Sequence, residues 1–387
     1  MVAALEGIRI VEFANYVAGP YAGMLLADLG AEVTKVEQPP HGDPFRSWET
    51  GNYSSTFYSV NRNKRSIMLD LRSPHGLDVA RNLVSRADVL IENSRVGAMD
   101  RLGLGYEQVS QKNPRLVYCS ITGYGPTGPY VDRPGYDTLG QAMSGLLSLV
   151  TDVDDPQPIG ISLSDHLGGV FGCYGILAGL AARERTGRGQ RVDTSLLQAS
   201  VAFTAENMTR YLETGQVPAR ATRVRSAQVF AFRDQAGAPF VIHLSSPEKF
   251  WLGLLKAVGR TELSDDPRFA TRAARQKNRE ALVEILNASF ETGTRDEWLT
   301  RLRAEDVPAG PLNTMDEVAA DPQVQHLGMI QEVTHPQQGT MRVVGSGIKL
   351  GSTPTVIGPA PVLNEHCAEI LEGLGYSADF LTGEPVG

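Results

Sequence analysis

The chain has 387 residues, 42% of them hydrophobic and 21% charged, with a net charge of -8. This is enough apolar material for two domains with substantial cores, and too little clustered positive charge for a nucleic-acid binder. No run approaches the ~18 apolar residues of a membrane span, and Met1 to Gly7 shows no basic stretch leading into an apolar one, so the expected location is cytoplasmic with no membrane partner.

The first third alternates strand and helix. Ile8 to Phe13 reads as a buried strand, Pro20 to Gly30 as a helix with apolar Met24, Leu25, Leu26 and Leu29, and Glu32 to Val36 as the next strand. The pattern recurs with a strand at Ser66 to Leu71, a helix opened by Ser73 and Pro74, and a strand at Asp88 to Glu92. Leu116 to Ile121 adds another, and the expected class is a doubly wound α/β domain on a mainly parallel sheet.

Ser164 is a candidate cap for a long helix reaching Glu184, followed by a strand and a helix from Leu196 to Thr214. Gly215 to Ala227, with its arginines, reads as a linker. Val229 to Arg233 and Phe240 to Leu244 read as a hairpin, and helices are expected at Pro247 to Val258, Asn278 to Phe290 and Arg295 to Ala304. A strand at Met341 to Val344 and a last helix at Glu365 to Leu374 are too small to stand alone and are expected to pack on the first domain. The expected layout is a large domain at 1–214 completed by 339–387, a linker at 215–227, a small α+β domain at 228–325 and a return linker at 326–338.

Three dispersed cysteines and seven scattered histidines give neither a disulfide framework nor metal-ligand spacing, so no metal is expected. Gly19, Gly23 and Glu37 sit roughly where a dinucleotide-binding fold places its phosphate turn and ribose acceptor. The turn Ala18-Gly19-Pro20-Tyr21-Ala22-Gly23 lacks the opening Gly-x-Gly pair, and the glycines read as structural.

Several stretches together resemble the class III CoA-transferases, the family that includes formyl-CoA transferase, carnitine CoA-transferases and α-methylacyl-CoA racemase. They are Leu5 to Phe13 with Ala18-Gly19-Pro20, Leu29 to Glu37 with Gly42-Asp43, Asn63-Lys64-Arg65-Ser66, Ala87-Asp88-Val89 with Glu92-Asn93, and Arg101-Leu102-Gly103. Asn113-Pro114-Arg115, Gly123-Tyr124-Gly125, Thr186 to Gln190, Val307 to Pro311 and Asp321-Pro322 continue the series in order. The resemblance implies a Rossmann-like large domain formed by both chain ends, a smaller α+β domain, and an interlocked homodimer. It also implies movement of CoA from an acyl-CoA donor to a free carboxylic acid through aspartyl anhydride and aspartyl-CoA thioester intermediates, with CoA as substrate and no cofactor.

Under that resemblance the nucleophile is Asp165, in Ile161-Ser162-Leu163-Ser164-Asp165-His166. A helix start there would favour the ionised carboxylate and offer N–H groups to an oxyanion. CoA would be held by Val17, Ala18, Gln38, Leu71, Arg72, Asn93, Ser94, Arg95, Arg101 and Tyr136, with Arg72, Arg95 and Arg101 as phosphate partners. Gln38 stands where formyl-CoA transferase has an arginine, and that enzyme's glycine-rich loop has no counterpart here; His243-Leu244-Ser245-Ser246 occupies the general region. Arg46 or the linker arginines are candidates for a second substrate carboxylate.

Two alternatives stay open. A racemase needs a base and an acid on opposite sides of one carbon, and Tyr136 stands at the racemase branch's histidine position, where a phenol is a poor base. His166 is adjacent to Asp165, but neighbours on a helix diverge and cannot flank one carbon. A non-catalytic partner subunit would be expected to have lost the nucleophile, and Asp165 is present.

Overall fold

The computed structural model describes residues 2–49, 51 and 53–381, so that 382–387 of the expected closing segment lie outside the described residues. Two compact units emerge, one of residues 1–147, 158–209 and 323–387, the other of 148–157 and 210–322.

The first unit is built on strands β1 (Arg9–Phe13), β2 (Glu32–Glu37), β3 (Lys64–Met68), β4 (Val89–Glu92), β5 (Val117–Thr122) and β6 (Arg191–Ser195). They form one parallel sheet in the order β3-β2-β1-β4-β5-β6, so the chain reverses its direction of travel between β1 and β4. Helices α1 (Ala18–Asp28), α2 (Pro74–Ser85), α3 (Tyr106–Lys112), α4 (Asp137–Met143), α5 (Leu163–Thr186), α6 (Leu196–Phe203) and α7 (Ala205–Thr214) follow in the sequence.

Alternation along the strands divides the core into two layers, because successive side chains leave opposite faces of a sheet. Ile10, Val89, Ile91, Val117, Cys119 and Ile121 pack with Ala22 and Leu26 of α1 and Ile176 and Leu180 of α5. Val11, Phe13, Leu90 and Tyr118 face the other way, onto Val79 and Val84 of α2 and Val109 of α3. The C-terminal segment contributes Ile370 and Leu371 to this second layer, so both chain ends build the unit.

The structure corrects several expected boundaries. Residues 326–338, read as a linker, contain β10 (Ile330–His335), which pairs antiparallel with β11 (Gly339–Val344). The helix expected from Leu196 to Thr214 is two helices broken at Thr204. The segment 215–227 contains helix α8 (Ala221–Ser226) and belongs to the second unit. That unit holds the hairpin β7 (Val229–Arg233) and β8 (Pro239–His243), extended by β9 (Ala309–Pro311). Its core joins Phe230, Phe240, Trp251, Phe290 and Trp298. His243 to Ser246 lies at the end of β8.

Gly19 and Gly23 have the structural role expected of them. A Cβ on Gly19 would collide with the Ala14 side chain, and one on Gly23 with the buried Glu12 carboxylate. Glu37 is no ribose acceptor: it takes two hydrogen bonds from Arg46 at 2.7 Å and one from the Ser66 hydroxyl at 2.6 Å, all fully buried.

Candidate active site

In an open parallel sheet the strand order reversal leaves a crevice beyond the strands' carboxyl ends, since the loops on either side of it diverge. Here the loops after β1, β4 and β5 line a cleft of about 400 Å³ at that place. Val17, Ala18, Asn93, Ser94, Arg95, Arg101, Tyr136 and Asp165, drawn from four separate stretches of sequence, all border it.

Asp165 reaches the cleft from the first turn of α5. That turn lies against the start of α1: a Cβ on Gly169, four residues on and on the same face, would stand 2.7 Å from the Ala18 carbonyl. Ser164, expected to cap the helix, lies inside it and shares a 2.7 Å hydrogen bond with Ser200, while Ser162 occupies the cap position.

The electrostatics differ from the expectation of a carboxylate kept charged by a helix start. The Asp137 carboxylate, at the first residue of α4, accepts the Asp165 backbone N–H at 3.2 Å and that of Ser164. It thereby occupies the N–H groups that an oxyanion would have used. No donor among the described residues is hydrogen-bonded to the Asp165 carboxylate itself. Burial, reinforced by the Asp137 charge, pushes its pKa up to about 7.

His166 turns away from the cleft. Its Nδ1 is 2.7 Å from the Ser162 carbonyl, and its ring packs edge-on against Tyr21 at 4.7 Å. Tyr136 is 63% exposed, leaving its ring free to meet a ligand.

Three arginines border the cleft: Arg95, Arg101 and Arg133, the last lying over the Tyr130 ring at 4.0 Å. None is in a salt bridge among the described residues, so all three charges are available to an anionic ligand. Gln38, Leu71 and Arg72 are not brought into the cleft. Gln38 and Arg72 both bond Asp70, at 3.1 and 3.0 Å, and the Arg72 side chain is 79% exposed. Asn93 borders the cleft, but its side-chain amide is committed to the Asn15 backbone, accepting its N–H at 3.0 Å and donating to its carbonyl at 2.8 Å.

Arg46 faces no ligand. It is fully buried on Glu37, the Pro361 carbonyl and the Phe57 ring, which removes it as a partner for a substrate carboxylate. The sequence reading also passed over Tyr16 and Arg133 as cleft residues, and over Asp137 as the partner of Asp165. The only sequence signal for Asp137 was its place beside Tyr136.

A second cavity, about 150 Å³, lies at the amino ends of the strands. Two of its lining arginines are used internally: Arg65 pairs with Glu32 and Glu369, and Arg86 donates to the Gly373 and Leu374 carbonyls. No group of His, Cys, Asp and Glu among the described residues is arranged to hold a metal ion, and no described helix is long and apolar enough to cross a membrane.

A family model described as CoA-transferase family III matches residues 5–367. Succinyl-CoA:glutarate CoA-transferase of Mus musculus is 37% identical, with 95% of this chain and 86% of that protein aligned. Succinate–glutarate CoA-transferase of Agrobacterium fabrum is 36% identical over 96% of this chain and 95% of its own. Among solved structures, a CAIB/BAIF family protein from Brucella suis superposes with a TM-score of 0.87 at 37% identity, covering 97% of this chain and all of the other. With the parallel sheet, the switch-point cleft and these relatives in agreement along almost the whole length, the chain belongs to CoA-transferase family III.

Proposed function

We propose that this CoA-transferase moves CoA from succinyl-CoA to a dicarboxylic acid of similar length, such as glutarate, through covalent intermediates on Asp165. One observation carries the assignment: a carboxyl group without hydrogen-bond donors sits in the cleft at the sheet's switch point, beside unpaired arginines. Support for a dicarboxylate comes from the names of the mouse and Agrobacterium relatives.

The ionised Asp165 attacks the thioester carbonyl, forming an acyl-aspartyl anhydride and expelling CoA thiolate. Thiolate then attacks the aspartyl carbonyl, releasing the donor acid and leaving aspartyl-CoA. The acceptor carboxylate attacks that thioester, giving a new anhydride and free thiolate. Attack of thiolate on the acceptor's carbonyl yields the new acyl-CoA and restores Asp165. Each step exchanges one activated acyl group for another, so the cleft's main tasks are to hold the thiolate nearby and to exclude water.

CoA binding is assigned to Val17, Ala18, Ser94, Arg95, Arg101 and Tyr136, with Arg95 and Arg101 on its phosphates. A homodimer is part of the same proposal, supported by exposed Val170, Tyr174 and Phe203 in the first unit, a set of apolar side chains that a partner would cover. So is the division into a large domain completed by the C-terminal segment and a smaller one between.

The test is mass spectrometry of CoA esters after incubation with succinyl-CoA and glutarate in D₂O. Glutaryl-CoA that forms with the wild type and not with Asp165→Ala supports the reading. Transfer that persists in the variant removes Asp165 from its role, and α-deuteration of a 2-methylacyl-CoA incubated in parallel, without exchange, would make the protein a racemase.

A further inference from the structure

The loop joining β1 to α1 is held from three sides by polar side chains, two of them, Lys35 and Asp43, fully buried. Lys35 Nζ donates to the Ala14 carbonyl at 2.6 Å. Asp43 Oδ1 accepts the Tyr16 N–H at 3.2 Å and the Phe45 N–H at 3.0 Å. Between these two grips, Asn93 holds both backbone groups of Asn15. Lys35 and Asp43 are paired with each other at 2.9 Å, both with side chains fully shielded from solvent.

What the grips hold is a backbone that would not persist alone. Tyr16 has φ of +65°, a left-handed conformation that costs a non-glycine residue about 1 kcal/mol and lasts only where its surroundings impose it. Its ring is set edge-on against Phe45 at 5.4 Å, so Asp43 fixes both the Tyr16 backbone and the residue its ring packs on. The strained residue and its successors Val17 and Ala18 form the wall of the cleft that also carries Asp165.

The ion pair continues inward. Lys35 also meets Glu12 at 3.1 Å, and Glu12 meets Lys64 at 2.8 Å. Lys64 in turn donates to the Pro20 carbonyl at 2.7 Å, inside α1. Ala14, Tyr16 and Pro20 are thus tied to one buried charge network rooted in β1, β2 and β3.

We propose that Lys35 and Asp43 are positioning residues for the transferase reaction, whose buried ion pair keeps the Ala14–Ala18 loop in its strained form before the CoA ester arrives. This rests on the assignment of the cleft to CoA. A loop already in its binding form does not charge its ordering to the ligand, and affinity falls in proportion to the fraction of molecules in the competent state.

The experiment measures CoA binding by calorimetry, with kcat and KM for succinyl-CoA, at a temperature well below the melting transition. The variants are Asp43→Asn, Lys35→Met, Tyr16→Gly and the double variant Asp43→Asn with Tyr16→Gly. Asp43→Asn and Lys35→Met should each weaken CoA binding about tenfold, with KM rising in step and kcat changed less. Glycine carries no left-handed penalty, so Asp43→Asn should weaken binding less in the Tyr16→Gly background than in the wild type. Lower melting temperatures with unchanged CoA binding would reduce the pair to a structural role and overturn the proposal, as would strictly additive effects.

Should the variants fail to fold, hydrogen exchange in the wild type decides. Slow exchange of the Asn15 and Tyr16 amides without CoA supports the proposal, and exchange that slows only when CoA is added overturns it. Failure of CoA to bind the wild type at all would count against the assignment of the cleft.

Discussion

The backbone N–H of Asp165 donates to the Asp137 carboxylate at 3.2 Å, so the cleft's candidate nucleophile has a second acid at its own helix start. Burial raises the pKa of Asp137, and two backbone N–H groups and Gln141 offset part of that rise by stabilising its charge. Asp165 has no such offset, because burial and the neighbouring charge both oppose its ionisation. With the pKa of Asp165 up to about 7 and the carboxylate as the attacking form, kcat/KM for the acyl-CoA should rise through about pH 7 and level above it. Asp137→Asn removes the opposing charge and should move that limb to lower pH, which a pH profile of initial rates will show.

The same shift makes Asp165 a cost to folding. Its pKa is raised on folding, so the folded state binds more protons than the unfolded state between about pH 4 and pH 7, and stability falls as pH rises across that window. Asp165→Asn should abolish transfer and raise stability at pH 8 by on the order of 2 kcal/mol. At pH 4 the gain should nearly vanish. Thermal melts of both proteins across this range measure the difference.

The arginines should separate by location. Arg95→Ala and Arg101→Ala each remove a cleft charge without a protein partner and should raise KM for the acyl-CoA about tenfold, with kcat less affected. Arg72→Ala removes an exposed side chain paired with Asp70, and KM should stay within about twofold of the wild type. Steady-state kinetics on the three variants decides this, and a large Arg72 effect would return that residue to the binding site.

Arg46→Ala is expected to be a stability variant. Removing the guanidinium leaves Glu37 ionised and buried with its main partner gone, a change that typically costs about 3–5 kcal/mol. Denaturant unfolding should show that loss, and the ratio of rates with dicarboxylic and monocarboxylic acceptors should not change.

The central strands of the parallel sheet were legible because their residues are buried on both faces and read as short apolar runs, as in Val89 to Ile91 and Val117 to Cys119. Of the β10–β11 hairpin only the second strand was legible, at Met341 to Val344; β10 was not, since only Val333 and His335 of it are buried, and a mostly exposed strand carries little hydrophobic pattern. Arg46 was misread for a related reason. An arginine in a polar, glycine- and proline-containing stretch looks solvated, and only folding brings Glu37 and Pro361 to it.

By itself the sequence determined the alternating α/β pattern and, through its ordered motifs, the resemblance that singled out Asp165, Arg95 and Arg101. These are local matters of side-chain period and residue type along the chain. The tertiary structure decided which of those residues meet, because the switch between β1 and β4 sets where separate loops converge. It put Asp137, 28 positions away, against the Asp165 amide and left Arg72 outside the cleft. Charge state follows from those placements, since burial and neighbouring charges are properties of the folded chain that no residue carries in its own sequence position.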